Sequence, residues 1–189
     1  MNRRRLLGLA STVGISAIAG CSNLFGPDPE PITGSSGDGS AGAGSGAVSI
    51  QKVEGIDTDG DGTLDTLRAH VILARGAKKV DLNKAIYFFE RSKRTVRGEL
   101  EQQNAYLQNG GGSGVTYEKV AGGNGNSTVL QQREDKIVVT FDLTAIEGID
   151  PLGPEDEMTF EITTPQSVKS SKQLTAPETI EPNKTYLIQ

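Results

Sequence analysis

The sequence has no tryptophan, one cysteine and one histidine among its 189 residues. A single cysteine has no partner for an internal disulfide and, once lipidated, would supply no thiolate ligand. Hydrophobic residues make up 35% of the chain, and glycine occurs 24 times. We therefore expect a modest core with long connections, which favours an all-β sandwich over a helical bundle.

The chain also lacks an apolar run long enough for a transmembrane helix. The uncharged stretch at residues 6–19 has fourteen residues, which is about 21 Å of helix against a hydrocarbon core of about 30 Å. Arginines at positions 3–5 precede it, as in a twin-arginine export signal, and the segment AIAGC that ends at Cys21 resembles a lipobox. We predict a signal peptide at residues 1–20 and a lipid on Cys21. The alternative is an ordinary signal peptide with a free cysteine.

Removal of that signal leaves 16 basic and 24 acidic side chains, a net charge near −8. An acidic surface repels phosphate backbones, so we expect no nucleic-acid partner. Residues 21–47 pass through alternating prolines into GSSGDGSAGAGSG, which is too small and polar to bury apolar surface. The segment is predicted to be a flexible, lipid-anchored linker that holds an extracytoplasmic domain, residues 48–189, at the membrane. The sequence does not indicate an oligomeric state.

Short runs of period two dominate from Val48 onward, which is the pattern of half-buried strands. The clearest are TLRAHVIL at 66–73, KIVVTFDL at 136–143 and MTFEITT at 158–164, each with apolar residues on one face. Weaker candidates lie at 49–53, 85–89, 95–100, 115–120, 127–130, 172–175 and 185–188. The glycine-rich region 102–126 is predicted to be largely irregular, and mobile or functional. The spacing predicts antiparallel sheets packed as a sandwich.

The stretch IDTDGDGTLD at 56–65 is the strongest candidate site, because four aspartates alternate with small residues. Calcium prefers several hard oxygen ligands, and glycines allow the bends that gather them. An EF-hand loop that began at Asp57 would place Arg68 where the closing glutamate belongs, so the stretch better resembles the DxDGDGxxD loops of extracellular repeats. We predict calcium ligands from the side chains of Asp57, Asp59, Asp61 and Asp65 and from the Thr63 carbonyl. The alternative is a metal-free hairpin turn between strands, since Asp-Gly is a preferred turn sequence.

Sequence motifs for catalysis are missing. There is no GxSxG, no HExxH and no phosphate-binding loop, and His70 lies within a predicted strand without a cysteine partner. We therefore expect a non-enzyme, although paired carboxylates such as those of glycosidases leave no local motif. Asn126 and Asn183 begin matches to the glycosylation sequon and are candidate glycosylation sites.

Several local sequences occur in the same order as in archaellins, the archaeal flagellins, and the chain resembles their outer β-domain over about residues 48–189. The matching stretches are LRAHVIL and RGA at 67–77, VDLN and IYFF at 80–89, VL at 129–130, DKIVV at 135–139, LGPED and TFEITT at 152–164, and APETI at 176–180. The resemblance implies a compact antiparallel β-sandwich, immunoglobulin-like in architecture and exposed at a cell surface. It does not account for the aspartate loop.

The N-terminal segment departs from the archaellin pattern. An archaellin keeps a long apolar helix that packs the filament core, whereas the apolar run here has fourteen residues and ends at the predicted lipobox. We therefore expect a lipid-anchored structural or interaction protein, accessory to archaellum motility or adhesion, whose partner is a cell-envelope or filament protein. The alternative is a calcium-stiffened envelope lipoprotein that binds another ligand or partner and has no relation to filaments.

Overall fold

The computed structural model of the chain describes residues 47–94, 100–108, 110, 112–123 and 126–188. Its strands are β1 (Val48–Ile56), β2 (Thr66–Leu73), β3 (Val80–Asp81), β4 (Ile86–Arg94), β5 (Leu100–Leu107), β6 (Val115–Ala121), β7 (Val129–Leu130), β8 (Lys136–Asp142), β9 (Glu157–Thr163), β10 (Lys169–Thr175) and β11 (Thr185–Leu187). Single 3-10 turns lie at Leu82–Lys84 and Leu143–Ala145.

Two antiparallel sheets form the expected sandwich. One has the strand order β11-β1-β2-β8-β6 and the other β10-β9-β4-β5, while β3 and β7 form a separate pair. The predicted pairing of the first two strands is confirmed, with Val53 opposite Ala69. The prediction of an all-β antiparallel fold is therefore confirmed.

An aromatic cluster joins the two sheets at the centre of the core. Phe141 of β8 meets Tyr87 and Phe89 of β4 edge-on, each at 5.1 Å between ring centroids, and Phe160 of β9 at 5.3 Å. All four side chains are fully buried. Edge-to-face ring pairs add to the stability that apolar burial gives, so these few aromatics do much to hold the sheets together.

The strand predicted at 115–120 is confirmed as β6. The prediction of an irregular region is wrong at 102–107, which belong to β5. β5 pairs with β4 and forms an edge of its sheet. The strand was not predicted because its sequence, LEQQNAYL, is largely polar. Ala105 is buried, while Gln102 and Asn104 are exposed. Of the strand predicted at 95–100, residues 95–99 lie outside the described residues, and β5 begins at Leu100.

Candidate metal-binding loop

The aspartate loop connects β1 to β2 at one end of the sandwich. Its base is closed by the Asp65 amide, which donates to the Ile56 carbonyl at 3.1 Å. The loop also contacts the turn before β11, where the Asn183 amide donates to the Asp57 carbonyl at 2.8 Å. These bonds fix the backbone at both ends of the loop, and therefore fix the positions from which its carboxylate side chains project.

Three of the predicted ligands come together. Asp57, Asp59 and Asp61 each offer a carboxylate oxygen, and these atoms lie within 4.8 Å of one another. Asp57 is fully buried, and its oxygens accept from the Gly60 amide at 2.6 Å and the Gly62 amide at 3.0 Å. Both glycines have positive φ, +81° and +85°, a conformation that other residues adopt at a cost. The DGDG sequence therefore lets the chain wrap around the Asp57 carboxylate.

Asp65 and Thr63 have different positions from those three. Asp65 lies outside the group and is 3% exposed. Its Oδ2 accepts from the Thr58 amide at 2.9 Å and the Thr58 hydroxyl at 2.7 Å, while Oδ1 has no hydrogen-bond partner. The Thr63 hydroxyl and amide donate to Asp61 Oδ1, at 2.6 and 2.8 Å, and these bonds lower the pKa of the Asp61 carboxyl. The buried Asp65 carboxylate thus holds Thr58 at the start of the loop, whereas Thr63 holds the exposed Asp61 carboxylate.

The donor set suits a hard cation. All three grouped side chains offer carboxylate oxygens, which calcium prefers, and its six to eight ligand positions would leave places for carbonyls and water. Mutual repulsion of three carboxylates this close would fall if a divalent cation lay between them. The residues present therefore fit calcium, and the ion itself stays a prediction.

The other predicted sites are separate from this loop. Cys21 lies outside the described residues. Asn126 is exposed, and its side-chain oxygen accepts from the Thr128 amide and hydroxyl, both at 3.1 Å, within the same sequon. Asn183 is also exposed, at φ 58°. Both asparagines have the surface exposure that glycosylation requires, and their modification stays a prediction.

Sequence reasoning missed two buried ionic contacts at strand starts. The Arg91 guanidinium of β4 is 1% exposed, pairs with Asp156 and donates to the Asp150 carbonyl at 3.1 Å. Lys119 of β6 lies 2.9 Å from Asp135, just before β8. Each aspartate lies just before a strand, where acidic residues are common in turns. The signal that could have found them is the period-two position of Arg91, which places it on the same face as Tyr87 and Phe89.

His70 is the half-buried strand histidine that the pattern predicts. Its Nε2 lies 3.0 Å from Glu54 on the outer face of the five-stranded sheet. Lys52 contacts the other oxygen of the same carboxylate at 2.5 Å. The Glu54 carboxyl is partly desolvated, which raises its pKa, but bonds from Lys52 and His70 outweigh this and lower the pKa overall. The arrangement is a surface ion-pair network.

No protein-family model matches the sequence, and no curated protein sequence matches it. Among solved structures, archaeal flagellin FlaB1 from Methanocaldococcus jannaschii is similar, with a TM-score of 0.61 and 14% identity over 76% of this chain and 97% of that chain. The fold is archaellin-like. The archaeal flagellum of Methanospirillum hungatei gives a TM-score of 0.50 and 14% identity, over 76% of this chain and 71% of that chain.

A weaker similarity concerns the archaellum periplasmic stator complex FlaF and FlaG from Sulfolobus acidocaldarius. Its TM-score is 0.39, with 18% identity over 67% of this chain and 87% of that chain, and this value is too low to support an argument. The archaellin-like sandwich instead rests on the two flagellin comparisons. Within the described residues, no helix has the length and apolar character needed to cross a membrane.

Proposed function

We propose that this chain is a lipid-anchored, archaellin-like structural or interaction protein of the cell surface, accessory to archaellum motility or adhesion. The observation that carries the proposal is the similarity to archaellin FlaB1, which extends over 97% of that chain. A sandwich of this kind offers sheet faces and edges for protein contacts. Its partner would be a filament or cell-envelope protein.

The predicted anchor supports an accessory role over that of a filament subunit. Lipidation at Cys21 would place the chain end in the membrane surface, whereas a filament subunit needs a long apolar helix to pack with its neighbours. The fourteen-residue apolar run before Cys21 would be removed with the signal. The folded domain would then remain attached through the polar linker alone.

Two measurements test this proposal. Mass spectrometry of the mature protein should show a chain that begins at Cys21 and carries lipid; an intact segment 1–20 would overturn the anchor. Filaments sheared from cells should lack this chain as a major component, while the cell envelope should retain it. Its recovery as a main filament protein would make it a subunit and overturn the accessory role.

The grouping of Asp57, Asp59 and Asp61 favours a second function, in which calcium stiffens the domain for binding of another partner. We propose weak binding, in the range of about 0.1 to 1 mM typical of extracellular modules. Calorimetry should detect calcium binding to the wild type and little binding to Asp57→Asn. The exposed Glu178, which lies outside the loop, gives a matched control as Glu178→Gln. If millimolar calcium gives neither a binding heat nor a rise in melting temperature, the loop is the metal-free hairpin turn.

A further inference from the structure

The described chain enters the sandwich at the end opposite to the aspartate loop. Val48, the first residue of β1, pairs with Leu73, the last residue of β2. The Ala74 amide donates to the Ala47 carbonyl at 3.2 Å, which fixes the entry point beside the connection from β2 to β3. We call the surface formed by this connection and the following 3-10 turn, residues 74–84, the entry end. An anchor anywhere in residues 1–46 would therefore be joined covalently to the domain at the entry end.

The entry end carries a cluster of cations. Arg75, Lys78 and Lys79 lie on the connection from β2 to β3, and Lys84 lies on the 3-10 turn that follows β3. All four are exposed, and none has an ion pair within the part of the chain that the structure describes. The acid closest to them in sequence, Asp81, accepts from the Asn83 amide at 3.1 Å and the Thr128 hydroxyl at 3.0 Å. The connection from β7 to β8 also runs beside this end, because Leu130 pairs with Val80. Of its two acids, Asp135 contacts Lys119, and the formal charge of Glu134 is offset by Arg133 in the same connection. The four cations therefore leave a net positive charge at the entry end.

Several other basic residues of the domain contact carboxylates. Lys119, Lys169 and Lys184 each contact a carboxylate at 2.8 to 2.9 Å. Because the mature chain is acidic overall, an unpaired basic cluster at one end departs from the general pattern. The grouped aspartates lie at the far end of β1, whose nine residues span about 30 Å. That distance is nearly four Debye lengths at physiological salt, so the far acids do not cancel the field of the cluster.

We propose that the entry end docks on an anionic membrane surface, through contacts of Arg75, Lys78, Lys79 and Lys84 with lipid phosphates. The proposal rests on the lipid anchor of the proposed function, which would keep this end near the membrane. A flexible linker of about 25 residues would have a root-mean-square span of about 25 to 30 Å, which would let anchor and cluster reach the same bilayer. Each lysine or arginine near an anionic surface contributes about a fivefold gain in affinity.

A second copy of the chain is the competing occupant, because its aspartate loop has the opposite charge. The membrane is favoured because the chain enters the domain at the basic end, so a lipid on Cys21 would be joined to the domain through that end. A copy bound head to tail would need the loop of one tethered molecule to lie beneath another. That arrangement would hold the second molecule roughly 30 Å further from the membrane, a distance at or beyond the root-mean-square span expected of such a linker.

Vesicle sedimentation with the full chain as Cys21→Ser tests the proposal without the lipid. Vesicles of phosphatidylcholine with about one third phosphatidylglycerol should bind the chain at about 0.1 M salt, and binding should weaken as salt rises. Lys78→Gln/Lys79→Gln should weaken binding about 25-fold. Lys52→Gln/Lys184→Gln removes the same charge elsewhere and should leave binding unchanged. Both variants should retain the wild-type circular dichroism and melting temperature.

Three outcomes would overturn the proposal. Equal weakening by both double variants would indicate a response to net charge alone, and no response to either would place any binding elsewhere, such as the arginines at positions 3–5. Concentration-dependent self-association in sedimentation velocity, lost in Lys78→Gln/Lys79→Gln, would assign the cluster to a second copy. Because the assay uses Cys21→Ser, failure here leaves the mass-spectrometric test of lipidation unaffected.

Discussion

At the scale of single residues, the Asp135 carboxylate joins the connection between β7 and β8 to the edge strand β6 of the five-stranded sheet. Its Oδ2 accepts from the amides of Gln131 and Gln132 at 2.7 and 3.1 Å, and Lys119 lies 2.9 Å from Oδ1. Burial alone would raise the pKa of Asp135, but the amides and Lys119 together lower it to about 2.

This lowered pKa predicts an acid-dependent part of the stability. The carboxylate form is favoured in the folded state, so its contribution is full above the unfolded pKa of about 4 and is lost as pH falls toward 2. Asp135→Asn should lower the free energy of unfolding by about 2 kcal/mol at pH 7, and the difference from wild type should shrink between pH 4 and 2. Urea unfolding across that range measures it. Glu134→Gln, at the exposed neighbour, should show no such convergence, and a constant difference for Asp135→Asn would contradict the assignment.

Arg91 predicts an asymmetry between the two partners of a buried ion pair. Asp156 is 15% exposed and can be hydrated if its partner is removed, whereas the Arg91 side chain is 1% exposed. Asp156→Leu would leave a buried cation unpaired and would also remove the acceptor of the Gly153 amide, at a cost of about 3 to 5 kcal/mol. Arg91→Met should cost less, because methionine fills similar space without charge. Chemical unfolding of both variants checks the order; a greater loss for Arg91→Met would contradict it.

At the scale of elements, the aspartate loop is coupled to the short C-terminal strand. Asn183 donates to the Asp57 carbonyl, Gly55 pairs with Tyr186, and the Ile188 amide donates to Val53 at 3.0 Å. If calcium binds, it should fix the Asp57 backbone and thereby slow local opening of β11. Hydrogen exchange should become several-fold slower at 183–188 on addition of calcium. The edge strand β10 should not respond, and a uniform response of both edges would indicate global stabilisation instead.

The strands also show which sequence patterns are sufficient to predict a strand and its bounds. β2, β8 and β9 were predicted to within about a residue, because apolar residues occupy every second position and face a buried sheet interface. β5 was missed because an edge strand pairs on one side only, and its inward Gln103 contacts Asp150 instead of apolar residues. β3 has two residues, too few to show a period. Tertiary pairing, which local patterns do not encode, defines both of these strands.

At the scale of the whole molecule, the candidate site was predictable in composition but not in arrangement. The spacing of the aspartates identified Asp57, Asp59 and Asp61, since alternate positions in a tight loop point their carboxylates toward one place. Asp65 has the same chemistry, yet it is held inside the loop by Thr58, a contact that depends on the complete fold. The basic entry end was likewise invisible in the sequence, because its character depends on where β1 and β2 end relative to each other.

The anchor and the basic entry end make a combined prediction for the intact cell. Cys21→Ser should release the chain from the membrane fraction only after a wash at about 1 M salt, where the Debye length falls to about 3 Å and phosphate contacts are screened. The wild type should resist the same wash, because a lipid anchor does not depend on salt. Ser22→Ala, at the neighbouring position, is the matched control. Release of Cys21→Ser at low salt would contradict the proposed contact between the entry end and the membrane. Retention of Cys21→Ser at high salt would show that the lipid is not the anchor.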